Sequence, residues 1–558
     1  MNANKLPLNS ELRIFTIRIK NKKFVKTLTD YIYKYRHFEN ILLILIKENY
    51  ELFLQGKTEN DFKYLTSKIT LRNALLNYNS KNSKDSNYLN EKYKDHKLWQ
   101  ALKETVKTIK QHNFTYCIER VKANYKTYFT NLKAYNKNSS AYTGMPKPPK
   151  AKKLSKLLNY SIDLDKYCSL SFKKLNQNLI GINLADKMLY IHHSKSDIES
   201  IVGNLKNINS AKLVFDRSQI SLQVSYIKKI KPLKLLKPVK EAGLDIGLNN
   251  LASLFVNDET TPSLIVDGKP YKHYNTKFNR LLGKLQESLK DHVLEWSISK
   301  TGTKYPAKYD KKGYQILKFI SYLHSKRNRF FFDKFHKVSK RILEYCQMHD
   351  VTDLYISKNL AQLKNNGDCN LRKAQKQNFI QIPFIKLLKD IEYKAKYYGI
   401  NVHIIDEAYS SKTSSVSGNV VYIQKQAQAL GHDTIKQLAK TDLANAFSGK
   451  RAKRGLFIDT TIKKVFNADL NGAVNHIKIA KDINTSYLKR KLFKLCNPIK
   501  LKSDCDFCRL MQNSVSGKAI GTDLLQRQVS NAHGSKYGKL NSGSSYGNSL
   551  YQSLIGLE

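Results

Sequence analysis

The feature that most restricts the fold is an acid set in an apolar strand. The run Ala242-Gly-Leu-Asp-Ile-Gly-Leu-Asn-Asn-Leu-Ala-Ser-Leu-Phe255 reads as a strand, a tight turn and a second strand, with Asp245 in the middle of the first. A carboxylate is costly to bury there unless something compensates it. Gly243 and Gly247 flank it and leave space for a backbone or a ligand to approach. A second acid, Asp469, falls in the first turn of an apolar-faced helix expected over Phe466–Ala480. A strand acid and a helix-start acid far apart in sequence ask for a fold that brings them together.

Such a pairing is what a ribonuclease-H-like fold provides to hold divalent metal. Mg²⁺ wants hard oxygen ligands and keeps several of its waters, so two ions bridged by three carboxylates would suffice for a hydrolytic site. Charge points to the kind of substrate. With 97 Lys+Arg against 45 Asp+Glu the formal net charge is +52 over 558 residues, which repels itself unless a polyanion neutralises it. Codon bias accounts for many Tyr and Lys but not for scarce acids, so nucleic acid is the expected partner. Ile41–Ile46, the longest unbroken apolar run, is far shorter than the roughly 18 residues a spanning helix needs. Met1–Arg13 lacks a signal-peptide core, and seven scattered cysteines make no disulfide framework. The expectation is a soluble, intracellular, cytoplasmic protein that does not engage membrane.

Periodicity divides the chain further. Leu12–Lys20 alternates like a half-buried strand, and helical spacing follows from about Phe24 to Tyr135, as in Phe38–Phe53 and Trp99–Tyr116. The stretch 136–156 carries Pro146, Pro148 and Pro149 among Lys147, Lys150, Lys152 and Lys153, an extended basic strap suited to phosphate. Tyr160–Ile230 returns to short alternating runs, read as a small β barrel that includes the first strand and so has the helices inserted into it. After a second strap, Lys228–Lys240, strands alternate with long helices. The fold class expected is therefore multidomain, α/β and all-β.

The chain resembles the TnpB (OrfB) family of transposon-encoded RNA-guided nucleases and the related compact type V CRISPR effectors. Gly243-Leu-Asp-Ile-Gly-Leu-Asn-Asn-Leu-Ala252 is similar to the family's first RuvC motif and Asn467-Ala-Asp-Leu-Asn-Gly-Ala473 to its third. Gln377–Phe384, Tyr393–Ile400, Gly449–Phe457 and the strap Tyr142–Pro149 resemble it as well. The resemblance implies a β-barrel wedge domain in 1–23 and 136–235, a helical recognition domain in 24–135, and a RuvC nuclease domain with a helical insertion in 236–407. A lid that binds target nucleic acid would follow in 408–455, a RuvC helix in 456–485 and a partly disordered tail in 486–558.

Two departures from the family matter. Relatives carry their second RuvC acid as a Glu on the strand that here reads Asp353-Leu-Tyr-Ile-Ser-Lys-Asn-Leu360, and Ser357 takes its place. Either the site is dead or its Glu has moved. Asn401-Val-His-Ile-Ile-Asp-Glu-Ala408 ends in two acids on opposite faces, and one branch of the family has a Glu at the second, so Glu407 is the choice. Many relatives also carry C-x-x-C zinc pairs where this chain has Ser414 and Ser417, and a hydroxyl is a poor zinc ligand, so no zinc is expected in the lid. Cys496, Cys505 and Cys508 form the other candidate set, without a clear fourth ligand.

The resemblance thus implies an RNA-guided DNA endonuclease in which Asp245, Glu407 and Asp469 hold two Mg²⁺. Its partners would be a guide RNA and double-stranded target DNA, read as an RNA–DNA heteroduplex after a short flanking motif is recognised. Besides the strap lysines, the phosphate-gripping candidates are Lys326, Arg327 and Arg329 in one helix and Lys450, Arg451, Lys453 and Arg454 at the end of the lid. A guided DNA-binding protein that does not cut, consistent with Ser357, and an unguided transposase or resolvase are the alternatives.

Overall fold

The structure, a computed structural model of the chain, describes residues 10–78, 84–152, 160–184, 188–216, 219–229, 240–299, 302–357, 377, 380–439, 441–453, 455–481, 483, 485–502 and 506–507. Two compact units divide it, Met1–Ile230 and Lys231–Glu558. Among the described residues no helix is long and apolar enough to cross a membrane.

In the first unit the alternating opening segment forms β1 (Ser10–Ile19), followed by α1 (Lys22–Leu54), α2 (Phe62–Leu65), α3 (Lys68–Leu76), α4 (Lys84–Lys92), α5 (Lys97–Val106) and α6 (Gln111–Lys137). Asn21 starts α1 by accepting the N–H groups of Lys23 and Phe24, two of the donors that every helix start leaves unpaired. Its buried Leu28, Tyr31, Ile32, Tyr35, Phe38, Ile41 and Leu42 recur at helical spacing and make one apolar stripe. The segment expected as one amphipathic stretch, Trp99–Tyr116, is broken between α5 and α6. There the Tyr31 hydroxyl accepts from Lys110 N and Asn113 Nδ2, a start signal supplied by a distant helix.

Strands β2 (Tyr160–Leu164), β3 (Leu170–Ser171), β4 (Leu179–Asn183) and β5 (Met188–His192) lead to α7 (Lys195–Val202), β6 (Ile208–Asp216) and β7 (Gln219–Lys229). The expected barrel is not shown: among the described residues the strands make two sheets, β1-β7-β6-β2 and β3-β4-β5. The two-residue β3 and the helix α7 between β5 and β6 separate the two ladders. β1 runs antiparallel to β7 from Ser10↔Lys229 to Ile19↔Ile220, which leaves α1–α6 as an insertion into that sheet. A buried ionic cluster ties the insertion to the sheet: Glu39 meets Arg36 (2.7 Å) and Arg120 (3.1 Å) and accepts from the Tyr160 hydroxyl (2.8 Å). In the strap Lys147, Lys150 and Lys152 are exposed, and Asn40 clasps the Lys152 backbone with two hydrogen bonds. Lys153 and most of the second strap lie outside the described residues.

The second unit is built on β8 (Lys240–Asp245), β9 (Asn250–Val256), β10 (Leu264–Asp267), β13 (Val351–Ser357), β14 (Asn401–Ile405) and β18 (Ile499–Leu501). Their order is β14-β13-β8-β9-β10-β18, with β9 antiparallel to both neighbours and the other pairs parallel. α8 (Lys269–Ser288), the hairpin β11 (Val293–Ile298) and β12 (Lys304–Tyr309), and α9 (Lys311–Met348) intervene. Phe331, Phe335, Val338 and Ile342 of α9, with Leu387 and Ile391 of α10 (Phe384–Ala395), pack with Ala242, Leu244 and Leu254 into one core. The other core is formed by Phe255, Ile265 and Tyr355 with Leu470, Ala473, Val474 and Ile477 of α14 (Ala468–Ala480).

Gly243 explains how close that helix comes. A Cβ there would lie 1.8 Å from the Ala473 carbonyl oxygen, so the glycine admits a backbone rather than a ligand. Before α14 come α11 (Val420–Leu430), α12 (His432–Leu438), α13 (Ala444–Phe447) and a sheet of β15 (Gly449–Lys453), β16 (Leu456–Asp459) and β17 (Lys464–Asn467). Helices α11, α12 and α13 share a small core of Ile423, Ala427, Ile435, Leu443 and Phe447. After α14, α15 (Phe493–Cys496) leads into β18.

Candidate active site

Asp245 ends β8, Glu407 lies two residues past β14 and Asp469 sits in the first turn of α14, and all three line one cavity of about 410 Å³. Asn467 caps α14 by accepting from Asp469 N (2.9 Å) and Leu470 N (3.1 Å), which places Asp469 at the positive end of the helix. Glu407 lines the cavity while Asp406 is exposed and accepts from Ala408 N.

The acids do not have equivalent partners. The Asp469 carboxylate is held by Arg451 Nη2 (2.7 Å) and Asn250 Nδ2 (2.7 Å). Asp245 and Glu407 instead share their space with His476, and one ligand atom from each of the three lies within 4.8 Å of the others. His476 is buried. Its Nδ1 lies 3.2 Å from the Leu244 carbonyl, which can only accept, so Nδ1 carries a proton and Nε2 faces Glu407 Oε2 at 3.5 Å.

Electrostatics separates the acids further. Burial, then the Asp469 charge, pushes the Asp245 carboxyl up to about 7, against the opposing pull of His476. Burial also raises Glu407, but hydrogen bonds with His476 and Ser357 outweigh it and hold this carboxyl below its ordinary value. The Ser357 hydroxyl on β13 therefore supports Glu407 beyond the neighbouring strand. Two carboxylates fit a divalent cation, which the imidazole Nε2 can join only by giving up its proton and its hydrogen bond to Glu407, and a carboxyl raised by burial and a neighbouring charge is one that a cation would return to the ionised form.

A polar clasp fixes the loop that carries Glu407. Asn475 Nδ2 donates to Ser410 O (2.7 Å) and Thr413 O (2.8 Å), and Asn471 donates to Thr413 O (2.8 Å) and accepts from Ser415 N (2.7 Å). The Ser414 and Ser417 hydroxyls both donate to Asp459 Oδ2 at 2.5 Å. Asp459 Oδ1 accepts Thr461 N and Ile462 N, so a buried carboxylate with four donors fastens residues 414–417 to β16. Cys505 and Cys508 lie outside the described residues, while Cys496 is exposed.

Of the cationic candidates, Lys326 and Lys450 are exposed. Arg327 departs from the expectation of a phosphate grip: it donates to Asn275 Oδ1 (2.8 Å) and Gln381 O (2.5 Å) and lies over Phe278 and Phe331, because α8 and the segment before α10 close around it. Arg329 is part-buried, and Arg451 faces Asp469. Arg454 and the Lys453 side chain lie outside the described residues. His476, Asn250, Asn471 and Asn475 were not among the candidates. Their one sequence signal is polarity in otherwise apolar surroundings, Asn471, Asn475 and His476 recurring along the helix that carries Asp469.

Comparison with known proteins gives both family and structural matches. Residues 221–362 match the OrfB_IS605 family model, described as a probable transposase, and residues 384–476 match the Cas12f1-like TNB domain. A TnpB-like protein, ORF457 of Acidianus two-tailed virus, is 24% identical over 266 residues, 47% of this chain and 47% of that protein, so the chain spans about half the length of this curated relative. Among solved structures, a Cas12f1–sgRNA–target DNA complex is similar at 14% identity over 83% of this chain and 98% of that one, with a TM-score of 0.26. A CRISPR–Cas12f ternary complex is similar at 16% identity over 82% and 85%, with a TM-score of 0.28.

Proposed function

For a chain that matches the OrfB_IS605 model over residues 221–362 and the Cas12f1-like TNB domain over residues 384–476, we propose the function of an RNA-guided DNA endonuclease with a RuvC-type site. The observation that carries this reading is the convergence of Asp245, Glu407 and Asp469 on one cavity from three distant segments. A mixed sheet with one acid on a central strand and another at the start of a helix packed against it supports a ribonuclease-H-like domain. Asp245 and Glu407, with Asp469 across the cavity and His476 beside them, would hold two Mg²⁺ or Mn²⁺ ions. Bound divalent cations supply a Lewis acid that acidifies water and offsets charge on the leaving oxygen.

The chain's own residues do the rest. His476 and Ser357 keep Glu407 ionised and oriented, and the Asn471–Asn475 clasp holds its loop. Arg451 pairs with Asp469 and is placed to exchange that carboxylate for a phosphate oxygen. The partners under this reading are a guide RNA and target DNA, and the first unit reads a short flanking motif. The strap lysines Lys147, Lys150 and Lys152, with Lys326 and Lys450, neutralise backbone phosphates.

A guided DNA-binding protein that does not cut is the second reading, favoured by Ser357 at the family's acid position and by the Arg451–Asp469 pair. One assay separates the two. The protein is purified with its RNA, the RNA is sequenced, and a plasmid bearing the complementary target is added with Mg²⁺. Linear product that is lost in Asp245→Ala and Glu407→Gln but retained in Asp406→Asn supports the endonuclease. Target binding without product at any cation concentration supports the second reading, and the absence of a discrete RNA points to an unguided enzyme.

A further inference from the structure

Helices α8 and α9 turn apolar stripes toward each other without closing along their whole length. Leu285, Ile316, Phe319 and Leu323 fill the space between them together with Phe278. Nearer the sheet lies a cavity of about 540 Å³, bounded there by Val266 of β10 and Leu501 of β18. It shares no lining residue with the acidic cavity.

Helical spacing sets its walls. Tyr271, Tyr274, Phe278 and Leu281 recur at steps of three and four on α8 and line it, and Lys326, Phe330, Lys334 and Val338 do so at steps of four on α9. Tyr274 and Phe330 stack face to face, their centroids 3.8 Å apart and their planes 6° from parallel, so each helix braces a flat ring on the other. Around the rings stand Lys277, Lys326, Lys334 and Lys502, against the single acid Asp267 among the described residues.

That combination selects a ligand class. Aromatic walls suit a planar ring, and four ammonium groups beside one carboxylate call for a polyanion, which a fatty acid or another single carboxylate does not supply. The volume is that of a small-molecule site, with room for one nucleoside and not for a length of strand. Lys277 and Lys326 are exposed and so meet phosphates at the mouth.

We propose that this pocket binds a free nucleoside polyphosphate, its base among Tyr274, Phe278 and Phe330 and its phosphates on Lys277, Lys334 and Lys502. The assignment is independent of the nuclease reading.

The test uses the full chain purified with its RNA, in EDTA, so that no divalent cation draws phosphate to the acidic cavity. Isothermal titration calorimetry reads ATP, adenosine and inorganic triphosphate in turn. ATP should bind saturably at one site, about tenfold or more tighter than either of its halves. Tyr274→Ala should weaken ATP by about tenfold, the worth of one stacked ring, and leave inorganic triphosphate unchanged. Lys277→Glu changes an exposed side chain, so it leaves the core intact and should weaken ATP and inorganic triphosphate alike, by about tenfold. Lys311→Glu, an exposed reversal outside the lining, should change neither. 8-Azido-ATP localises the ligand: on irradiation it loses N₂ and its nitrene inserts into a nearby bond. The label should map within residues 270–281 or 323–338, be blocked by excess ATP and diminish in Lys277→Glu. Absence of saturable ATP binding overturns the pocket, and so does inorganic triphosphate binding as tightly as ATP, which is the behaviour of a lysine cluster alone. Label confined to other peptides, or ATP affinity unmoved by Lys277→Glu, overturns it as well. A chain that binds ATP in this way but never cuts a guide-matched target keeps the pocket and loses the nuclease reading, and one that cuts but binds no ATP does the reverse.

Discussion

At Ser357 the hydroxyl hydrogen-bonds Glu407, so residue-level chemistry ties a side chain on one strand to an acid beyond the next. Ser357→Ala should raise the Glu407 pKa and lower cation affinity or cleavage by about 10–100-fold, as loss of a supporting hydrogen bond does in metal sites. A cation titration of cleavage rate reads this, and an unchanged midpoint would sink it. A second residue-scale pair bears on stability. Lys494, fully buried, donates to Val256 O (3.0 Å) and meets Asp258 Oδ1 at 3.2 Å. Burial raises Asp258, yet the Thr261 hydrogen bonds and the Lys494 charge bring it down to about 2. A carboxyl depressed on folding stabilises above its unfolded value near 3.9, and that contribution is lost as pH falls through about 2. Asp258→Asn also strands a buried ammonium, so it should cost about 3 kcal/mol at pH 7 by denaturant unfolding, with the difference from wild type shrinking towards pH 2.

At the scale of elements, the site depends on how closely α14 lies on β8. Gly243→Ala drives a methyl into the Ala473 carbonyl, and relief requires the helix to move off the sheet, carrying Asp469 and His476 with it. We expect a loss of about 3 kcal/mol or more in unfolding free energy, at the upper end of overpacking penalties, and cleavage lost beyond the loss of stability. The lid is fastened by a different device. Ser414→Ala/Ser417→Ala removes two of the four donors to the buried Asp459 carboxylate and should cost about 3 kcal/mol for the pair. Its thermal transition should be insensitive to zinc chelation in both wild type and variant; a chelator-induced drop would show that metal, and not the hydroxyls, holds the lid.

For the whole molecule the governing quantity is a net charge of +52 shared between two units. Nucleic-acid binding driven by that charge releases counterions, so affinity for RNA should fall by about 10³–10⁵ between roughly 50 and 200 mM salt if some 6–10 phosphates are contacted. Filter binding over a salt series measures this, and a flat response would remove phosphate neutralisation as the basis of association.

Much of this architecture is legible from local pattern. Alternation marked β1 and the strands of Tyr160–Ile230, and the strand and helix-start positions singled out Asp245 and Asp469, because periodicity and helix-start chemistry act over a few neighbours, whereas the choice of Glu407 over Asp406 rests on a family resemblance. What only the tertiary structure decided involves partners far apart in the chain. The division of the first unit's strands into two sheets, the helix break at Tyr31, Arg327 drawn inward, His476 facing Glu407 and the serine–aspartate fastening of residues 414–417 all depend on which side chain meets which across the core. Local spacing shows that a polar group is buried, but its partner is set by long-range packing, and so the site's supporting residues became visible only once the sheet and α14 had come together.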